Sequence, residues 1–199
     1  IQGKIEAVLS KMCGEEVQIQ GAGRTDAGVH AKGQVANVHL KERVDPQEVK
    51  QYLNRYLPED IAVTEVRAAS ERFHSRLNVV KKTYVYRIWN ADYPNVFERK
   101  YMLHDNRPMD VEAMRQAAQY LLGKHDFAAF CGNAKMKKST VRTIHEIDIR
   151  RIGEEIRFTY TGNGFLQNMI RILTGTLVDV GCGVYPPERV VEILASKVR

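Results

Sequence analysis

Apolar residues along the chain change period at nearly regular intervals. Ile1, Ile5, Val8, Leu9 and Met12 fall at helical spacing, and Gly14 follows as a stop, so a helix is expected over 1–11. Val17 and Ile19 alternate as a short strand that runs into a glycine-rich loop, and residues 35–40 alternate as a second strand. Asp45 before Pro46 has the order of a helix cap and first helical residue; Val49, Tyr52, Leu53 and Tyr56 share the inner face of the helix they open. Ile61, Val63 and Val66 predict a third strand. The order is α-β-β-α-β.

A second set opens on Lys82–Trp89, a clear period-two strand. Asp110 caps a helix carrying Val111, Met114, Ala117, Ala118 and Leu121, which Gly123 ends. Ile144, Ile147, Ile149 and Ile156, Phe158, Tyr160 flank Arg151-Ile152-Gly153-Glu154 as a hairpin. Gly162-Asn163-Gly164 turns the chain into a helix from Phe165 to about Val178, and a last helix runs from Pro187 to the end on Val190, Val191, Ile193 and Leu194. Each set reads as a split β-α-β-β-α-β unit short of one terminal strand: the first strand of one, the last of the other. The expected fold class is therefore α+β, with two ferredoxin-like halves over 1–78 and 79–199. A chain that starts on a helix with Ile1 and stops in a charged helical stretch is also expected to lack the ends of a longer protein.

Composition narrows the class more than the fold. At 199 residues, 44% hydrophobic and 27% charged, the chain has the makeup of a soluble protein of one large or two small domains. No apolar run approaches a membrane span and no signal peptide opens the chain, so no membrane partner is expected. Cys13, Cys131 and Cys182 are odd in number and far apart, which fits reduced thiols in a cytoplasmic protein rather than a disulfide framework or a zinc site. The formal charge of +6 favours a polyanionic partner. Arg72, Arg76, Lys81, Lys82 and Arg87 crowd one stretch, and Lys135, Lys137, Lys138 and Arg142 another; solvated surface charge is the plainer reading of either cluster alone.

The candidate chemistry begins at Gly21-Ala22-Gly23-Arg24-Thr25-Asp26-Ala27-Gly28-Val29-His30. Its glycines allow a tight turn and close approach of another molecule, and they leave Asp26 and Arg24 no apolar group to hide behind. Asp26 can be a mere turn former, since aspartate readily bonds nearby backbone N–H groups. A dinucleotide fingerprint fails, because Asp26 stands where its third glycine is required. Tyr84 shares a strand face with Lys82, Tyr86 and Ile88, so its ring either packs in the core or sits at a cleft end of that face, able to stack on a base. Arg171 interrupts the apolar run 165–173 and falls on a polar strip with Gln167 and Thr174, facing either water or a cleft where it would keep a nearby carboxylate ionised. The six histidines show no metal-ligand spacing, and no metal is expected.

Together these pieces resemble one family. Gly23-Arg24-Thr25-Asp26-Ala27-Gly28-Val29-His30-Ala31 closely resembles the active-site loop of the tRNA pseudouridine synthase A (TruA) family. Phe73-His74-Ser75-Arg76, Lys82–Ile88, His125-Asp126-Phe127, Val141-Arg142-Thr143-Ile144 and Gly162–Arg171 follow in an order similar to that family's. The resemblance spans essentially the whole chain, and the ends differ: the family has a strand and an aromatic-glycine segment upstream of Ile1, and a closing segment beyond Arg199.

The resemblance implies the pseudouridine synthase fold, a mostly antiparallel sheet with a central cleft. It implies an isomerase that turns uridine into pseudouridine in tRNA, on the 3′ side of the anticodon stem-loop, with no cofactor. The reaction needs a carboxylate near the ribose as nucleophile or base, and Asp26 would take that role. Tyr84 would pack against the uracil and could assist proton transfer. Arg171 would pair with Asp26, while Arg24 would contact the backbone or fill the space left by the flipped base. Arg76, Lys81 and Lys82 would track phosphates, and the protein would be a homodimer with tRNA spanning both subunits. Two rivals remain: a non-catalytic RNA-binding module, which makes no demand on Asp26, and a nucleotide-dependent enzyme, which ATP or NAD would stabilise.

Overall fold

A computed structural model describes residues 1–133 and 135–198. The chain divides into two compact units, Ile1–Val79 and Val80–Arg199.

In the first unit α1 (Gln2–Cys13) ends on Gly14, β1 (Ile19–Gly21) pairs antiparallel with β2 (Ala36–Val38), and α2 (Pro46–Tyr56) follows. Asp45 caps α2 as its sequence position predicts, its carboxylate accepting from the Gln47 N–H. Leu9, Val17, Ile19, Val49 and Leu53 form the buried core, each worth roughly 1.5–3 kcal/mol of transfer free energy. Both strands are shorter than the alternation predicts; ahead of β1, side chains of α1 take bonds a longer ladder would take. Ser10 Oγ accepts from Val17 N at 2.8 Å, and Glu6 Oε1 from Ile19 N at 3.0 Å.

The third strand expected over Ile61–Val66 does not form among the described residues. Val63 and Val66 still pack against the core. The backbone of Val63 is bonded in both directions by one amide instead: Asn54 Nδ2 donates to its carbonyl at 2.8 Å, and Asn54 Oδ1 accepts from its N–H at 2.7 Å. An apolar alternation fixes which side chains turn inward, whereas a strand also needs a neighbouring edge.

The second unit runs β3 (Lys82–Trp89), β4 (Leu103–His104), α3 (Val111–Gln119), β5 (Gly123–Asp126), a 3-10 turn at Ala128–Phe130, β6 (Val141–Ile152), β7 (Glu155–Gly162), α4 (Met169–Gly181) and α5 (Arg189–Ser196). The five strands make one sheet in the order β4-β3-β7-β6-β5, antiparallel except for the β3–β4 edge. The molecule is thus α+β with a mostly antiparallel sheet. The three-residue step from Ile144 to Ile147 is explained by an irregularity between Ile144 and Glu146, which restores both residues to the buried face. That face, with Ile88, Ile156, Phe158 and Tyr160, packs in one core with Met114 and Ala117 of α3, Leu121 just after it, and Leu173 and Leu177 of α4. Asp110 caps α3 through Glu112 N at 2.8 Å and Ala113 N at 3.1 Å.

Two strands in this unit were not expected, and one expected helix start is displaced. The short strands β4 and β5 carry no alternation long enough to announce them, and exist as partners of β3 and β6. The helix expected from Phe165 begins only at Met169, since Asn168 before it is left-handed at φ 56°.

Candidate active-site elements

In the first unit the glycine loop leaves β1 and returns into β2 with both ends tied. Ala22 N donates to Val35 O at 2.8 Å, and the Gln34 side-chain amide to Gly23 O at 2.7 Å. Between these ties Val29 N donates to the Asp26 carbonyl at 3.0 Å, closing a four-residue turn. Its third residue, Gly28, has φ 77°, a value that disfavours any side chain. The turn is closed by the backbone of Asp26, so its carboxylate is left outside the turn's hydrogen bonding, and both Asp26 and Arg24 are exposed. Turn forming and presentation of the acid are therefore compatible readings of the same residue.

The Phe73–Arg76 segment is seated on the same strand pair. Ser75 is buried; its Oγ donates to Gln20 O at 2.5 Å, and its N–H to Asn37 Oδ1 at 2.9 Å. Gln20 and Asn37 face one another in the β1–β2 register, so Ser75 staples both strands just before the loop. Arg76 follows it, exposed. The anchoring role of Ser75 has no sequence signal beyond its place in the Phe-His-Ser-Arg motif.

Tyr84 and Arg171 belong to the second unit. Along the inner row of β3, Lys82, Tyr84 and Tyr86 are half-buried and Ile88 is fully buried, which puts Tyr84 toward the rim. Its ring meets Phe165 edge-on, with centroids 5.2 Å apart at 79°. Tyr160, opposite Tyr84 on β7, is the core phenol: it shares a 2.8 Å hydrogen bond with Thr174 Oγ1, and burial pushes its ionisation well up.

Arg171 lies exposed in the first turn of α4. The polar strip predicted for it does not exist. Gln167 precedes the helix, and Thr174 is turned into the core, where its hydroxyl also donates to Ile170 O at 2.8 Å.

The basic clusters separate into structural and exposed members. Arg87 is drawn into the protein: Nε donates to Glu155 Oε1 at 2.9 Å, and Nη2 reaches Glu155 Oε2 and Glu98 Oε2, each at 2.6 Å. The Arg87 guanidinium, aided by Arg157 at 2.7 Å, pulls the Glu155 carboxyl down to about 2. Arg142 caps its own loop through Ser139 O and Val141 O. Arg76, Lys81, Lys135, Lys137 and Lys138 remain exposed, and Lys82 is half-buried. Among the described residues no cluster of His, Cys, Asp or Glu is grouped to hold a metal, and no helix is long and apolar enough to cross a membrane.

Residues 1–78 and 117–199 match the model of a family described as tRNA pseudouridine synthase, so both the Asp26 loop and the segment leading to Arg171 fall within matched stretches, while Tyr84 lies between them. Over all 199 residues the chain is 53% identical to tRNA pseudouridine synthase A of Bacillus sp. (strain KSM-64), of which it covers 82%. It is 47% identical to tRNA pseudouridine synthase A 1 of Clostridium tetani (strain Massachusetts / E88), covering 81% of that protein. With tRNA pseudouridine synthase A of Brevibacillus brevis the identity is 43% over 196 residues, 98% of this chain and 80% of the relative. The matches span both units, and the chain belongs to the family of tRNA pseudouridine synthases, which are isomerases.

Proposed function

We propose that this protein converts uridine to pseudouridine in tRNA, on the 3′ side of the anticodon stem-loop, with Asp26 as the catalytic carboxylate. The observation that carries this reading is the turn 26–29, which spends the backbone of Asp26 on its own closure and leaves the carboxylate exposed on a loop tied at both ends. The reaction breaks the N1–C1′ bond, rotates the uracil and joins C5 to C1′; N1 ends protonated and C5 loses its proton, so no external electron or group is consumed. Asp26 serves it as nucleophile at the nucleotide or as base. No cofactor is called for.

Tyr84 packs against the extruded uracil, which suits a rim tyrosine supported edge-on by Phe165. Its assignment rests on its place on β3 and on identity over the whole chain, since the family match skips it. Arg171 pairs with Asp26 and keeps it ionised, and Arg24 contacts the RNA where the base has left. Arg76, Lys81 and Lys82 meet phosphates. Residues 1–78 supply the acid and 79–199 the tyrosine and arginine, as two ferredoxin-like halves, and two copies of the chain share one tRNA in the cytoplasm.

Asp26→Ala tests the reading directly. In the full-length protein it is expected to abolish pseudouridine formation, mapped in treated tRNA, while tRNA binding survives. Turnover by that variant would refute the role of Asp26, and wild-type protein that binds tRNA without modifying it would favour a binding module.

A further inference from the structure

Asn168 is one of two non-glycine described residues with positive φ, at φ 56° and ψ 7°; the other, Lys197, ends a helix. A left-handed residue at the start of a helix needs something to hold it. Gly132 does so. Its N–H donates to Gln167 O at 2.8 Å. A Cβ placed on it would come within 2.7 Å of Asn168 Nδ2, 3.0 Å of Asn168 Cβ and 3.0 Å of Gln167 O, so any side chain at residue 132 would push residues 167 and 168 from where they sit. Gly132 follows the 3-10 turn at Ala128–Phe130; Phe130 within it and Phe127 and Cys131 beside it are buried, so the contact is anchored in the core.

The bend at Asn168 is a pivot. Before it, Phe165 lies against Tyr84 and Leu166 is buried. After it, Met169 N bonds Leu166 O at 3.1 Å and Ile172 N bonds Asn168 O at 3.0 Å, which starts α4 and fixes its first turn. Arg171 is in that turn. We propose that the Gly132–Asn168 contact is a positioning latch for the isomerisation: by holding Asn168 left-handed it sets Phe165, and through it Tyr84, on one side and Arg171 on the other. Gly132 and Asn168 are positioning residues in this scheme, acting through Phe165 and the first turn of α4. The latch rests on the reading that Tyr84 and Arg171 serve the reaction.

Gly132→Ala in the full-length protein is expected to lower kcat about tenfold to a hundredfold, the scale of an ångström-level misplacement. KM for tRNA and the melting temperature should stay near wild type. Adding Asn168→Gly removes two of the three close contacts and keeps the left-handed bend accessible, so it should recover most of the lost kcat. Should Gly132→Ala not fold, Asn168→Asp, which tolerates this conformation, should keep a higher kcat than Asn168→Val, which does not. Arg171→Ala and Tyr84→Leu run alongside. Full activity in both would overturn the underlying reading and the latch with it. Loss of activity there, combined with wild-type kcat in Gly132→Ala, would overturn the latch alone. So would a kcat defect matched by a loss of stability and not relieved by Asn168→Gly, or equal kcat in the Asp and Val variants.

Discussion

Glu155→Gln should cost the second unit a measurable part of its stability, in a way that depends on pH. Arg87 on β3 and Arg157 on β7 are register partners, so two guanidiniums face each other across adjacent strands. Glu155, with a side chain only 9% exposed, accepts from both and makes that arrangement tolerable. Its carboxyl is held near 2 rather than 4.5, which at about 1.36 kcal/mol per unit amounts to about 3 kcal/mol at neutral pH. Because Arg157 is 40% exposed and partly screened, about 2–3 kcal/mol is the expected loss. For a chain of this size that is roughly 4–12 °C in Tm. The folded carboxyl is the stronger acid, so its contribution is complete above the unfolded value and fades as pH falls toward the folded one. The gap between wild type and Glu155→Gln should therefore narrow to under half by about pH 3. Thermal melts of both proteins at pH 7 and pH 3 read it. A gap below about 1 kcal/mol at pH 7, or one of equal size at both pH values, would refute the reasoning.

Thr174→Val strands the Tyr160 hydroxyl in the core, and should cost about 1–3 kcal/mol in urea unfolding; adding Tyr160→Phe should give much of it back, since removing both partners leaves nothing unpaired. Arg76→Ala or Lys81→Ala should lower the slope of log affinity for tRNA against log salt by about one each, whereas Arg87→Ala, whose guanidinium is spent on Glu155 and Glu98, should leave the slope unchanged and lower Tm instead.

What was legible in the sequence shared one property: its parts are contiguous. The Asp45 and Asp110 caps lie within three residues of the N–H groups they bind, and the alternation of Lys82–Trp89 describes one strand by itself. The turn at Asp26 carries its own closing bond and its own glycine. Failures came where a distant partner decides. Ile61–Val66 had the pattern of a strand and met an amide of α2; β4 and β5 had no pattern and met a sheet edge.

The charge clusters failed for a related reason. Density of lysine and arginine reports potential contact with a polyanion, but it is blind to a carboxylate far along the chain. Arg87 looked like its neighbours until Glu155 arrived across the sheet. Arg171 shows the converse. Helical periodicity put it on a strip with Gln167 and Thr174 by assuming ideal helix from Phe165 onward; the left-handed Asn168 leaves Gln167 outside the helix, and the Tyr160 hydroxyl gives Thr174 a partner inside. The surroundings of that helix turn thus include a glycine in another loop and a phenol in another strand, neither of which the helix's own sequence announces. A sequence argument for that arginine must therefore include Gly132, where an added Cβ would meet Asn168 and Gln167 just ahead of the helix that carries it.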